Sequence, residues 1–419
     1  MNDKGFLAVS IFILVYTIIV AGENSPRKLD RPAAGLLGSV LMVLTGVLTR
    51  SQALAAIHFA TLGLLFGMMI LIHYVTASGL LDRMALRLVG HSHGPKQLLW
   101  MLCLAAGVLS ALFVNDTICL LMTPLVLCAT RRTRIPAEPY LLALATSSNV
   151  GSVMTLTGNP QNMLIGQSSS WSWGSFALRM APIGLVCLLI NAAVIHLLYR
   201  KELRAARFHH DAAVVETGRP LDRKLAVRSI IVLTGLLTAF LFGMPMDLAA
   251  LTAAVALMIL ANRRPEEALA ALDWSLLLFF AGLFVVVAGI TRAEGAWIPR
   301  LLPIFTRHTG ALTEISLFSG FSIVGSNLFS NVPFVMLLRG WIAHLPHAQL
   351  LWLMLAASST FAGNLTLVGS VANLIVARRA GAECPLSFLT FLRVGVPTTV
   401  LTIIAATIFI WIYGLLGWA

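Results

Sequence analysis

The sequence predicts an all-α polytopic membrane protein: two inverted repeats, each about five transmembrane spans plus a re-entrant helical hairpin, with broken helices at the midplane. Three observations carry the prediction. Hydrophobic residues make up 58% of the 419 residues and charged residues 11%, more apolar side chain than one soluble core buries. Apolar stretches recur at roughly the length that crosses about 30 Å of hydrocarbon. The chain also repeats its own polar motifs at a nearly constant offset.

The apolar stretches lie near 5–22, 33–49, 59–77, 138–166, 177–199, 225–243, 246–262, 274–291, 348–377 and 389–416, about ten spans by length. The first, between Lys4 and Ala21-Gly22, has the look of a signal peptide. Its counterpart at 225–243 argues that it is retained as a structural element. No soluble domain is expected, and the longest polar segment, about 200–228, reads as a linker. Cys103, Cys119, Cys128, Cys187 and Cys384 are odd in number and mostly in apolar segments, which argues against a disulfide framework. A net charge of +12 reads here as topology and not as a nucleic-acid surface.

Three blocks repeat. Ala53-Leu-Ala-Ala-Ile-His-Phe59 matches Ala268-Leu-Ala-Ala-Leu-Asp-Trp274, each leading into a span with a glycine (Gly67, Gly282) and ending near another (Gly79, Gly295). Ser110 to Asn115 matches Ser326 to Asn331. Ser147, Ser148, Thr155, Gly158 and Asn162 match Ser358, Ser359, Thr366, Gly369 and Asn373. The expected units are therefore a repeat over 1–199, a cytoplasmic linker over 200–224 and a second repeat over 225–419. Lys and Arg favour the cytoplasmic side. With the linker inside, 23–32 (Arg27, Lys28, Arg31), 80–96, 131–134, 263–264 and 378–379 also fall inside. That holds if each half has five full spans and one hairpin entering and leaving on one side. The hairpins, about 97–130 and 313–346, then enter from opposite faces. Both termini are expected to be periplasmic, in a bacterial inner membrane.

Polar residues that break apolar runs are the candidate site, because unwound backbone in a membrane persists only where protein covers it or a watery cavity meets it. Phe113-Val-Asn-Asp-Thr117 breaks the first hairpin. Asn115 and Thr117 offer oxygens for a cation or donors for an oxyanion, and the following helix aims its N-terminal dipole at the gap. Asp116 reads as the only carboxylate in the deep apolar parts and is the candidate for proton coupling; the alternative is a helix cap that never titrates. Asn327, Ser330 and Asn331 mark the second hairpin tip. A span over about 138–166, expected to break near Gly158-Asn159-Pro160, supplies Ser148, Asn149, Thr155, Gly158, Asn159 and Asn162. Its match over about 348–377 supplies Thr366, Gly369 and Asn373. The serines serve helix packing equally well, whereas an amide in lipid needs a partner. His58 and Asp273 read as interfacial caps. No metal site, cofactor or nucleic-acid partner is implied, and no HExxH, GxSxG or P-loop pattern suggests an enzyme.

The string Ala111-Leu-Phe-Val-Asn-Asp-Thr-Ile-Cys-Leu-Leu-Met-Thr-Pro124 resembles the ArsB-type arsenite/antimonite permeases. These belong to the ion transporter superfamily with NhaD-type sodium/proton antiporters, citrate transporters and divalent anion/sodium symporters. The symporters' Ser-Asn-Thr hairpin signature is not matched, since the serine is missing and Asp116 is inserted. The Gly158 and Gly363-to-Gly369 segments are similar to the wider family of anion permeases. The resemblance implies a secondary transporter working by alternating access, with arsenite or antimonite efflux in exchange for protons as first expectation. A sodium- or proton-coupled carrier of an inorganic anion or dicarboxylate is the alternative, as is a channel-like subunit energised by a partner ATPase. A homodimer is a further possibility.

Overall fold

The computed structural model describes residues 3–21, 30–206, 219–293 and 310–418. Arg27, Lys28, Gly295 and the middle of the linker lie outside the described residues. The first half comprises α1 (Asp3–Ala21), α2 (Arg31–Leu44), α3 (Arg50–Ala56), α4 (Phe59–Ala77), α5 (Leu80–His91), α6 (Pro95–Leu112), α7 (Asn115–Thr133), α8 (Glu138–Ser152), α9 (Pro160–Ser168), α10 (Trp173–Leu198) and α11 (Arg200–Ala205). The second comprises α12 (Arg223–Leu241), α13 (Met246–Ala261), α14 (Pro265–Ala270), α15 (Trp274–Ala293), α16 (Ala311–Phe329), α17 (Asn331–Ile342), α18 (Ala348–Ala362), α19 (Val371–Ala380) and α20 (Phe388–Leu415).

Local chemistry sets many of these boundaries. Asp30 accepts from Ala33 N to start α2, and Thr49 with Gln52 forms a reciprocal capping box on α3. Ser172 accepts from Ser175 N to cap α10 and Ser387 from Thr390 N to cap α20, and each helix carries an internal proline at its tenth residue, Pro182 and Pro397. Asp273 accepts from Leu276 N as a cap should, but His58 makes no cap hydrogen bond.

Among the described residues, six helices are long and apolar enough to cross a membrane: α4, α6, α10, α12, α15 and α20. Five of these match stretches that the sequence reads as spans, and α6 is an arm of the first hairpin; of the other five expected stretches, four are short or divided. Helices α2, α13 and α18 run only 14, 16 and 15 residues, roughly 21–24 Å at 1.5 Å per residue. The broken spans are divided between α8 and α9 and between α18 and α19. Segment 80–96, expected as a loop, contains the amphipathic helix α5.

The halves pack on each other by exchanging equivalent elements. Helix α2 lies along α15 as α13 lies along α4, and α7 meets α19 as α17 meets α9. Glycines permit the first pair of crossings. A Cβ on Gly282 would sit 2.4 Å from the Gly35 backbone, and one on Gly67 would sit 2.7 Å from Ala250, the close backbone approach that small residues allow between membrane helices. Side chains also tie together loops that the charge pattern places on one side. Arg131 forms a two-pronged bond with Glu383, and Asp222 pairs with Arg263 at 3.1 Å. Gln349 donates to Ser170 at 2.7 Å, and His347 pairs with Glu314.

Candidate functional site

Four breaks in helix converge. The first hairpin opens at Phe113 and Val114, both extended, so that Asn115 begins α7. The second opens at Ser330, a non-glycine residue at φ 65°. Helix α8 ends at Ser152 and α9 begins at Pro160, so the chain unwinds about two turns before the expected Gly158-Asn159-Pro160 break. Hydrogen bonding explains the early opening: Asn159 Nδ2 takes Ser152 Oγ at 2.8 Å, and Asn162 Nδ2 takes Ser152 O at 3.3 Å and Thr155 O at 3.0 Å. The matching loop between α18 and α19 is held the same way, with Asn373 Nδ2 donating to Gly363 O at 2.8 Å and Thr366 O at 3.1 Å. Asn162 and Asn373 are thus loop staples before they are anything else.

Asn149 is the hub. It accepts from Asn115 Nδ2 at 2.9 Å and Ser370 Oγ at 3.0 Å, and donates to Asn364 Oδ1 at 2.8 Å and Asn373 Oδ1 at 3.0 Å. Asn115 N reaches Gly158 O at 3.0 Å, and Thr155 Oγ1 donates to Ala111 O at 2.5 Å, tying the first hairpin tip to the first broken span. A Cβ on Gly158 would lie 2.2 Å from Ser152 O, so only glycine lets that loop close. Asn327 donates to Ala362 O at 3.2 Å, and a Cβ on Gly369 would meet its Oδ1 at 3.3 Å. The second hairpin is thereby brought against the second broken span.

Several buried acceptors in this region have no partner: Asn115 Oδ1, Asn162 Oδ1, Asn331 Oδ1 and Ser359 Oγ, with Ser110 Oγ and Ser326 Oγ at matching places one turn below the tips. Buried polar atoms without a partner are uncommon enough to ask for a function. Four helix N-termini, those of α7, α9, α17 and α19, start at the same breaks and contribute partial positive charge. The gap therefore offers both donors and acceptors.

Asp116 sits in the first turn of α7, partly buried. That helix has no side-chain cap, so the cap reading fails. Thr117 is also partly buried. Ser148 turns away from the asparagine cluster, meeting Cys119 Sγ and Ala145 O, both at 2.9 Å. Ser147 is held by Asn191 at 2.8 Å, so both serines pack. Glu314, at the open end of the second hairpin, is a fully buried carboxylate, so Asp116 is not the only acid inside the apolar parts. Thr360, Gln161 and Ser370 are network members that sequence reasoning passed over. The repeat offset carried Thr360 and Ser370, because it sets Thr360 opposite Asn149 and Ser370 opposite Asn159.

Similarity to known proteins agrees with this architecture. The model of the CitMHS family, described as citrate transporter, matches residues 14–358. The chain belongs to that family. A silicon efflux transporter from Oryza sativa subsp. japonica is 33% identical, over 88% of this chain and 90% of the relative. A Dictyostelium discoideum transporter named arsB is 25% identical over 96% of this chain and 91% of its own length. The Alcanivorax borkumensis YdaH transporter, solved by crystallography and described as having an unusual topology, aligns with a TM-score of 0.56 at 15% identity. It covers 100% of this chain and 99% of its own, and so shares the fold. Membership of the ion transporter superfamily, expected from the hairpin string, is borne out, and this CitMHS-family chain is a multi-pass membrane transporter.

Proposed function

We propose that the chain exports a small neutral polyhydroxyl solute, arsenite or antimonite first, in exchange for protons. The observation that carries the reading is the set of partnerless buried acceptors at the breaks, Asn115 Oδ1, Asn162 Oδ1 and Asn331 Oδ1. Such acceptors ask for O–H donors, which trihydroxy-arsenic supplies and a carboxylate does not. The silicon efflux relative points to the same solute class, since silicic acid is also a neutral polyhydroxyl species. Asp116, partly buried and without a cap role, carries the proton, and Asn115, Thr117, Asn331 and the broken spans line the path. The units 1–199 and 225–419 rock or slide against each other around it, in a bacterial inner membrane with both termini periplasmic.

The test uses the purified chain alone in proteoliposomes under an imposed pH gradient, with arsenite, silicic acid and citrate compared. Gradient-driven arsenite movement that Asp116→Asn abolishes supports the reading and removes the need for a partner ATPase. Arsenite that does not move, or Asp116→Asn transport equal to wild type, overturns it. A second reading has its own support: four helix N-termini at the gap favour an anion, as the family description does. Citrate or dicarboxylate uptake that depends on sodium or protons selects that one.

A further inference from the structure

The geometry points to a site for one acyl chain of an anionic glycerophospholipid beneath α5, with the phosphate held at Arg87. Helix α5 lies against both arms of the first hairpin. Between them is a cavity of about 210 Å³ bounded by Leu81, Met84, Leu88, Ala105, Leu109 and Met122, with Arg87 its single charged lining residue. A smaller cavity adjoins it, sharing Ala85, Leu88 and Met122 and continuing between Leu102 and Val126. Apolar cavities of about 150 Å³ stay dry and take up hydrocarbon, so water is a poor occupant here.

Position selects the source of the hydrocarbon. Leu104 and Val108, beside Ala105 on α6, are exposed apolar side chains on a helix long and apolar enough to cross a membrane, so the cavity adjoins the lipid-facing surface. Charge selects the headgroup. Arg83 and Arg87 are exposed on α5, and neither forms an ion pair among the described residues, while the helix's one acid, Asp82, is turned to the Arg219 amide. Unpaired basic residues at a membrane surface attract anionic lipid, each contributing about 1 kcal/mol, roughly fivefold in affinity. A lipid seated here would wedge between α5 and the hairpin arm that carries Asn115 and Asp116.

Native mass spectrometry of the full chain, titrated with dioleoyl phosphatidylglycerol and with dioleoyl phosphatidylcholine, tests the site. The expected result is a preference of about fivefold or more for phosphatidylglycerol. Arg87→Gln removes most of that preference, Lys201→Gln leaves it, and Ala105→Trp lowers retention of both lipids by filling the cavity. Ala85→Leu, a milder filling, covers the case in which the tryptophan variant does not fold. Equal retention of the two lipids by wild type overturns the proposal. So does Lys201→Gln matching Arg87→Gln, or undiminished retention in Ala85→Leu.

Discussion

Asn159 Nδ2 of the first half donates to Thr360 Oγ1 of the second at 3.2 Å, and the bond returns from Ser370 Oγ to Asn149 Oδ1 at 3.0 Å. By the repeat offset Asn159 and Ser370 are one position, and Asn149 and Thr360 another. The two bonds are thus a single interaction used twice, and each broken loop is held by the other half. Neither half alone completes the central network.

Replacing Asn149 by alanine removes four hydrogen bonds at once. Side-chain bonds in membrane proteins average about 0.6 kcal/mol each, which sums to about 2–3 kcal/mol, and stranded buried partners push the loss higher. Asn149→Ala is expected to lower the unfolding temperature in detergent clearly and to lose transport. A variant as stable as wild type would show that the network is filled by water and not held by Asn149.

Asn331→Ala is expected to behave differently. Its Oδ1 has no partner to lose, so stability should change by less than about 1 kcal/mol, while transport falls tenfold or more. Solute titrations followed by thermal shift would show a weakened ligand-dependent rise. Unchanged transport with unchanged stability would remove Asn331 from the path.

The fold class was legible because apolar length, broken runs and internal repetition survive in one dimension. So were Asn115, Asn149, Asn159, Asn162 and Asn373, since an amide in an apolar run has to find a partner. Partner identity was not legible. Which oxygen Asn159 meets depends on how the halves dock, and Thr360 looks like any packing threonine. The start of the first break was also hidden, because Ser152 and Val153 carry no breaking signal of their own and the loop opens there to feed Asn159 and Asn162 from beyond it. Glu314 escaped notice because it stands near a helix start, where acids are ordinary.

Gly151→Ala tests the packing beneath the site. A Cβ there would fall 2.1 Å from Gly107 O, backbone against backbone, so α6 and α8 must separate. A loss of about 1–3 kcal/mol is expected, with the Asn115 tip displaced and transport reduced. Gly90→Ala on α5, where nothing lies within 4 Å, is the control and should be neutral or slightly stabilising.

Asp222 gives a pH expectation outside the spans. The Leu225 amide it caps, and then Arg263, hold its carboxyl below the usual aspartate range. A depressed folded value means the stabilisation is complete above the unfolded value, about 3.9, and is lost as pH falls through the folded one. Protection of the Leu225 amide from hydrogen exchange, corrected for intrinsic rate, should be flat from about pH 5 to 8 and weaken only in stronger acid. Asp222→Ala should lose the protection throughout.

Glu314 and His347 form the most consequential pair at the open end of the second hairpin. Glu314 is fully buried, its Oε1 has no partner, and its other oxygen meets His347 Nδ1. Removing one member of a buried pair usually costs more than the pair contributes, because the remaining group is stranded. His347 is 36% exposed, so water moderates the effect, and His347→Ala should cost about 2 kcal/mol. Glu314→Gln keeps an acceptor for the ring and should cost less. The single variant Glu314→Leu and the double variant Glu314→Leu with His347→Ala close a cycle: the double strands neither group and should recover most of the loss, which denaturant titration in detergent would measure as a large coupling energy. A double-variant loss equal to the sum of the two single losses would mean that the pair holds nothing.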